Sequence, residues 1–492
     1  MKALRALVRK WPRRGVITWS QPPSADDFES AVLGGTVDGD AVVAMILSTA
    51  RAGDAATAES LLAKADPRLW RAIDAAARRG LAVDAMLGDR LLSGRVTALD
   101  LVIAACCRQG YVRELAMVEL SSMDSRLAGP ILALRAADWV PEIRRRAKGI
   151  CVERLAADPV AAFAQLGPVA FALENRAEGD WLSSAVDSAL ADDRVFFAAM
   201  ENSSHRVRRA AYQKGIGDGR LDIARLNDAA LSDPDQGNSR LCAEAAARSA
   251  RLSGDVEAIR VLLNSRMATV RAEAVYALGE VDTAVDALCD RSAAVRLVAQ
   301  VVVRRAERDP AEHYRRLLPN PWAVAGLGET GTTADVEILL PCLEEPRVRT
   351  RAEAVRALRR LGHTAARTFV ALLDDPAPGV VKAAAVALQG NELDEEFRFG
   401  LIAPGRSRAV RLAGHRLLRS GDTLARLVAD LRLLDDPELG VAARSDLSNC
   451  MREMATLYTT PTGARAAELR SLISSTRLDT DTARRLRFYL AL

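Results

Sequence analysis

Apolar and small residues recur along this chain at fixed offsets, an apolar residue i being followed by others at i+4, i+7 and i+8. Val270, Ala274, Ala277 and Leu278 fit this template, as do Val295, Ala299, Val302 and Val303. Val380, Ala384, Ala387 and Leu388 repeat it, and so do Val410, Gly414, Leu417 and Leu418. Ile143, Ala147, Ile150 and Cys151 are an earlier copy, Thr350, Ala354, Ala357 and Leu358 a weaker one, and Val207 and Ala211 begin one that Lys214 and Gly215 break. These offsets fall on one stripe of an α-helix, the face that must leave water.

The copies begin at positions 143, 207, 270, 295, 350, 380 and 410, with gaps of 64, 63, 25, 55, 30 and 30 residues. Such gaps are one or two multiples of a unit of about 30 residues, enough for two short helices and two turns. Degenerate copies are expected in the long gaps, near Leu241 and near Trp322. At i−5 the chain reads Asp138, Asn202, Ser265, Asp290, Glu345, Asp375 and Gly405, and Asp436 precedes a weaker copy at Val441. Asp, Asn and Ser are turn and cap formers, because their oxygens satisfy the unpaired amides that open a helix.

The pattern predicts an all-α fold, an α-solenoid of stacked helical hairpins, in which each unit buries only its contacts with its neighbours. That explains how 492 residues avoid the single large core that a chain of this length cannot sustain. Four segments are expected: a basic N-terminal helix or cap over 1–20, degenerate hairpins over 21–140, the repeat array over 141–440, and a C-terminal helical cap over 441–492.

The residues Val270-Arg271…Leu278-Gly279, Asp290…Val295-Arg296 and Val410-Arg411 resemble HEAT-like repeats, in particular the short variety of the phycobilisome-lyase relatives. The resemblance covers about Pro141 to Gly440. It implies a right-handed superhelix with second helices lining the concave face, and it implies no activity of its own. In that family the arginine at i+1, here Arg144, Arg208, Arg271, Arg296 and Arg411, commonly pairs with acidic turn residues of a neighbouring repeat.

Composition adds little to this picture. A net charge of +4 lacks the strong bias of a dedicated nucleic-acid binder, although six lysines stand against 62 arginines. The seven cysteines are odd in number and irregularly spaced, which points to reduced thiols and a cytoplasmic protein. No stretch reaches the roughly 18 apolar residues of a membrane span. Residues 1–19 carry Lys2, Arg5, Arg9, Lys10, Arg13 and Arg14 beside Leu4, Leu7, Val8 and Trp11, a face that suits a terminal cap or, alternatively, peripheral membrane contact.

Candidate chemistry is sparse, so no enzyme and no cofactor are predicted. Gly326-Leu327-Gly328-Glu329-Thr330-Gly331 spells a dinucleotide fingerprint but has no βαβ context, and Gly328 aligns with Gly279 as a helix C-cap. The four histidines stand too far apart in sequence for a zinc motif, although a solenoid can bring distant acids together. The arginine clusters remain as partner-binding candidates: Arg144, Arg145 and Arg146; Arg206, Arg208 and Arg209; Arg347, Arg349 and Arg351. Two functions compete. One is a non-enzymatic scaffold for a protein or peptide. The other is a nucleic-acid binder of the kind seen in HEAT-like DNA glycosylases, with arginines gripping phosphates.

Overall fold

The computed structural model describes residues 39–52, 55–79, 96–173, 178–453 and 460–492, with Leu4, Glu29, Val32, Leu87 and Leu91 besides. The basic segment expected over 1–20 otherwise lies outside the described residues. Every regular element among them is a helix. The chain divides into two compact units, Met1–Leu262 and Leu263–Leu492.

Within the second unit the expected hairpins are present. Val281–Ala287 packs on Ala293–Arg305, Pro310–Arg316 on Pro321–Thr330, Ala366–Ala371 on Pro378–Ala387, and Glu395–Leu401 on Arg408–Arg419. The second helix of one hairpin then lies on that of the next, from Pro321–Thr330 to Val348–Arg360, to Pro378–Ala387, to Arg408–Arg419. Val270, Val295, Val380 and Val410 are all buried, and they open the apolar seam that this stacking creates. The fold is an all-α solenoid, as the periodicity requires.

The turns use the side chains at i−5. Asp138, Asp233, Asp290, Asp375 and Asp436 each accept a hydrogen bond from the backbone N–H two residues on. Most of these carboxylates also accept an arginine, through both oxygens. Arg271 donates Nε and Nη2 to Asp290 at 2.8 Å each, while its Nη1 donates to the carbonyl of Ser265, six residues before it. Arg208 treats Asp233 and the Asn202 carbonyl in the same way, as does Arg351 with Asp375 and the Glu345 carbonyl. Arg113 does so with Asp138 and the Cys107 carbonyl, upstream of any copy that the template finds. Each such arginine thus clasps its own turn to the turn of the following repeat, the pairing that the HEAT resemblance implies.

The degenerate copies are instructive. The one expected near Leu241 begins at Asn238, and Cys242, Ala245 and Ala246 complete its buried stripe. Ser239 stands where the arginine would, and its hydroxyl donates to the Asp233 carbonyl, again six residues back. Near Trp322 the stripe starts at Ala323, and Leu318 replaces the turn aspartate. Arg296, deprived of that partner, pairs with Glu329 instead.

Two expectations need correcting. Val441 is 76% exposed, so its copy is out of register; Leu439, Ala443, Asp446 and Leu447 are the buried set. Gly279 is the left-handed C-cap expected (φ 63°), but Gly328 sits inside the Pro321–Thr330 helix. A Cβ there would lie 2.5 Å from the backbone of Ala357, and one on Gly326 would lie 2.1 Å from the Tyr314 ring. These glycines permit close helix packing, which is also why the apparent fingerprint is no phosphate loop.

Burial alone would raise the carboxyl of Asp375, but the Arg351 guanidinium and the Ala377 amide hold it below its ordinary value. Asp233 and Asp290 are lowered in the same manner, and Asp436 chiefly by its Arg411 hydrogen bond. A depressed carboxylate contributes stability above its unfolded pKa and loses it as pH falls through the folded one. Thermal stability should therefore fall steeply below about pH 4. In a double-mutant cycle, Arg351→Ala and Asp375→Ala should each destabilise the chain and show a coupling of about 1–3 kcal/mol. A coupling within error of zero would mean that the clasp does not hold the repeats in register.

Candidate basic groove and the network beneath it

The register fixes which residues of a second helix face away from the seam. At 100° per residue, positions i+2, i+6 and i+9 share a stripe on the side opposite i, i+4 and i+7. In the copies that begin at Thr350, Val380 and Val410 this stripe carries basic residues. Thr350 is followed by Arg356 and Arg359, Val380 by Lys382, and Val410 by Arg416 and Arg419. Two clefts lie along it. One, of about 190 Å³, is lined by Arg356, Arg359, Arg360 and Lys382 with Ala383 and Val386. The other, of about 710 Å³, is lined by Arg416, Arg419, Arg426 and Arg452 with uncharged polar residues and Glu453. Eight basic side chains and one acid line the two clefts. Arg356 pairs with Glu353 at 2.8 Å, Arg360 with Glu329 at 3.8 Å, and Arg419 and Arg426 with Asp446, while Arg359, Lys382, Arg416 and Arg452 have no ion-pair partner among the described residues.

The nine arginines singled out in the sequence have divided fates. Arg208 is buried and Arg351 half-buried, each committed to its clasp. Arg144 donates to the Asp138 carbonyl and meets Glu178 at 3.2 Å. Arg349 lies over the Trp322 ring, 4.8 Å from its centroid. Arg145, Arg146 and Arg347 are exposed. Arg206 and Arg209 are exposed too, and in the first unit they line a cleft of about 690 Å³ with His205, Gln213 and Asp187. Arg145 and Arg209 stand at i+2, so they occupy in their own helices the stripe that carries basic residues in those three copies of the second unit.

The sequence did not reveal what lies under the larger cleft. His415 is the only buried histidine among the described residues. Its Nε2 lies 2.7 Å from Asp430 Oδ1. Asp446 is nearby, and one ligand atom from each of the three falls within 4.8 Å of the others. Asp446 accepts Arg426 Nε and Nη2 at 2.9 and 2.8 Å, and Arg419 Nε forms an ion pair with it at 2.8 Å. Three such donors are a set that could hold a metal ion, but two guanidiniums already neutralise the pair of carboxylates, and a dication would add uncompensated charge there.

A proton fits better. Asp430 Oδ2 is fully buried with no donor facing it among the described residues. A protonated Asp430 removes that deficit by donating Oδ2–H towards Asp446 while Oδ1 accepts from His415. Burial, and then the negative charge of Asp446, push the Asp430 carboxyl up to about 6 against the pull of the His415 hydrogen bond. Asp446 moves the other way: its guanidinium partners overcome burial and hold it below its ordinary value. The two carboxyls thus share a proton as a pair.

A protein built in this way is an α-solenoid repeat protein. Residues 321–389 match the HEAT repeats family, a span containing Val348–Arg360 and Pro378–Ala387 and the smaller basic cleft. HEAT repeats are generally protein-interaction scaffolds. No curated protein matches the chain. No helix among the described residues is long and apolar enough to cross a membrane.

Because Asp430 is raised on folding, its contribution to stability is complete below the ordinary aspartate value of 3.8 and is lost as pH rises through about 6. Asp430→Asn, which keeps both an acceptor for His415 and a donor for Asp446, should leave the unfolding midpoint almost unchanged at pH 4 and raise it at pH 8. The difference between the two pH values should be about 3 kcal/mol at most. Equal effects at both pH values would mean that Asp430 is ionised throughout.

Proposed function

We propose that the chain is a non-enzymatic interaction scaffold whose basic second-helix stripe takes an elongated acidic segment of a protein partner. The observation that carries this reading is the run of basic side chains along the two clefts, of which Arg359, Lys382, Arg416 and Arg452 make no ion pair among the described residues. It is supported by the HEAT repeats match over the helices that line the smaller cleft. Packed helices lie about 8–10 Å apart, and an extended peptide advances about 3.3 Å per residue, so acids at every third residue would meet successive helices. Arg347 supplies a further exposed contact in the second unit, and Arg145, Arg146, Arg206 and Arg209 are exposed partner-binding candidates of the first unit by itself. Arg144, Arg208, Arg349 and Arg351 act through the structural pairings already described.

The short spacing of the clasps, 24 residues for Arg351 and 25 for Arg208, supports reading these as the short variety of HEAT repeat. The cysteines are all unpaired and six of the seven are buried, which supports a reducing, cytoplasmic setting.

Titration of the full chain with a fluorescent peptide carrying glutamates at every third residue tests the groove. Binding should be saturable at about 0.05 M salt and weaken strongly by about 0.3 M, as screened charge pairs do. Arg359→Glu combined with Lys382→Glu should weaken it at least tenfold, on the order of 1.4 kcal/mol. If the variant binds as tightly as the native chain, the stripe is not the site. If duplex or single-stranded nucleic acid binds more tightly than the peptide, with a steeper salt dependence, the partner class is wrong.

A further inference from the structure

The geometry points to a phosphoryl-binding site in the cleft formed by Arg416, Arg419, Arg426 and Arg452. It goes beyond the groove reading, since it concerns a compact dianion and does not need an elongated partner.

The four guanidiniums come from three helices, so their donors approach the cleft from different directions. Arg416 and Arg419 end Arg408–Arg419, Arg426 lies on Thr423–Leu433, and Arg452 on Gly440–Glu453. Two of the four are fixed from behind. Asp446 holds Arg419 by Nε and Arg426 by Nε and Nη2, and Glu453 receives Arg426 Nη1 at 3.2 Å. Arg419 Nε lies 2.8 Å from an Asp446 oxygen, and the side chain, 48% exposed, lines the cleft. Arg416 has no ion-pair partner among the described residues, and Arg452 donates to the Asn449 side-chain oxygen.

The second observation concerns cost. Asp446 occupies position i+7 of its stripe, where the copies that begin at Val270, Val295, Thr350, Val380 and Val410 carry Ala277, Val302, Ala357, Ala387 and Leu417. The seam does not need a carboxylate there, and burying one is expensive. Nor does it need Asp430 or His415, which orient Asp446 in turn. Such a buried second layer has a recognised purpose at binding sites: it locks the side chains in front of it, so that less motion is lost when a ligand arrives. Here it locks two guanidiniums at the wall of a cleft of about 710 Å³.

The ligand class follows from charge and shape. A carboxylate is a monoanion that a single guanidinium fork can satisfy. Four guanidiniums against Glu453 and the ionised Asp446 leave about two positive charges, which a doubly charged, tetrahedral group matches, with oxygens to meet donors from several sides.

Calorimetry on the full chain at low ionic strength tests this, with inorganic phosphate, pyrophosphate, a phosphoserine peptide flanked by neutral residues, and the same peptide with aspartate in place of the phosphoserine. Saturable binding of phosphate or pyrophosphate assigns a free anion, and binding of the phosphopeptide alone assigns a modified partner segment; both support the site. Arg416→Gln and Arg452→Gln, on different helices and not in contact with Asp446, should each weaken binding roughly tenfold or more. Arg206→Gln, in the other unit, should change nothing. If none of the phosphoryl probes binds, if the aspartate peptide binds as well as the phosphopeptide, or if both arginine variants bind normally, the proposal fails. Phosphoryl binding without glutamate-peptide binding would remove the groove reading and leave this one, and the converse result would do the opposite.

Discussion

An arginine one residue past the first apolar position of a second helix has three bonding directions to fill, and the repeat fills all of them. Nη1 goes back six residues to the carbonyl of its own turn, and Nε and Nη2 go forward to the aspartate of the next turn. That aspartate is itself fixed by an amide two residues on. A planar fork meeting a carboxylate in two parallel bonds tolerates little rotation. The clasp therefore sets the spacing and tilt between neighbours, while the Val, Ala and Leu seam supplies most of the driving force. Once neighbours are set, the outward positions among i+2, i+6 and i+9, such as Arg356, Arg359, Lys382 and Arg419, can vary without disturbing the stack.

The seam and the turns are legible in the sequence because both depend on local periodicity. Val270, Val295, Val380 and Val410 are buried where the template places them, and Asp290 and Asp375 form the expected turns. Register fails where the template thins. Val441 has the residue type of a first apolar position, but the buried stripe runs two residues earlier, through Leu439. Gly328 matches Gly279 in its local sequence, whereas the close approach of Ala357, a contact 29 residues away along the chain, decides its role.

The binding candidates are hard to separate for a related reason. Arginine is so common here that a cluster at a helix start says little. Arg208 and Arg209 are neighbours in sequence, yet one is buried in the clasp and the other is exposed on a cleft wall. Only the offset separates them: i+1 points to the next turn, and i+2 points away from the seam. The same offset marks Arg356, Arg359, Arg416 and Arg419 once the outward positions are compared between copies as the inward ones are. His415 meeting Asp430 and Asp446 is beyond such reasoning, because residues 15 and 31 positions apart are joined through buried polar side chains that an apolar template does not anticipate.

Those positions show where the array stops behaving as a pure repeat. In the clasp, each carboxylate faces a guanidinium and a turn amide, and the pairing recurs from Arg113 to Arg351 along the chain. Asp430 and Asp446 are different: both lie within the packed helices, they face each other, and one must hold a proton for the arrangement to be satisfied. Replacement of Asp446 by an apolar side chain, as in the copies that begin at Val270, Val295, Thr350, Val380 and Val410, would remove its desolvation cost altogether. The cost is localised beneath one cleft, and the groups it fixes are Arg419 and Arg426 at the wall of that cleft. Stability of the stack therefore does not account for it, whereas orientation of two cations does. The repeat supplies the frame, and this departure from it marks where a ligand would be selected.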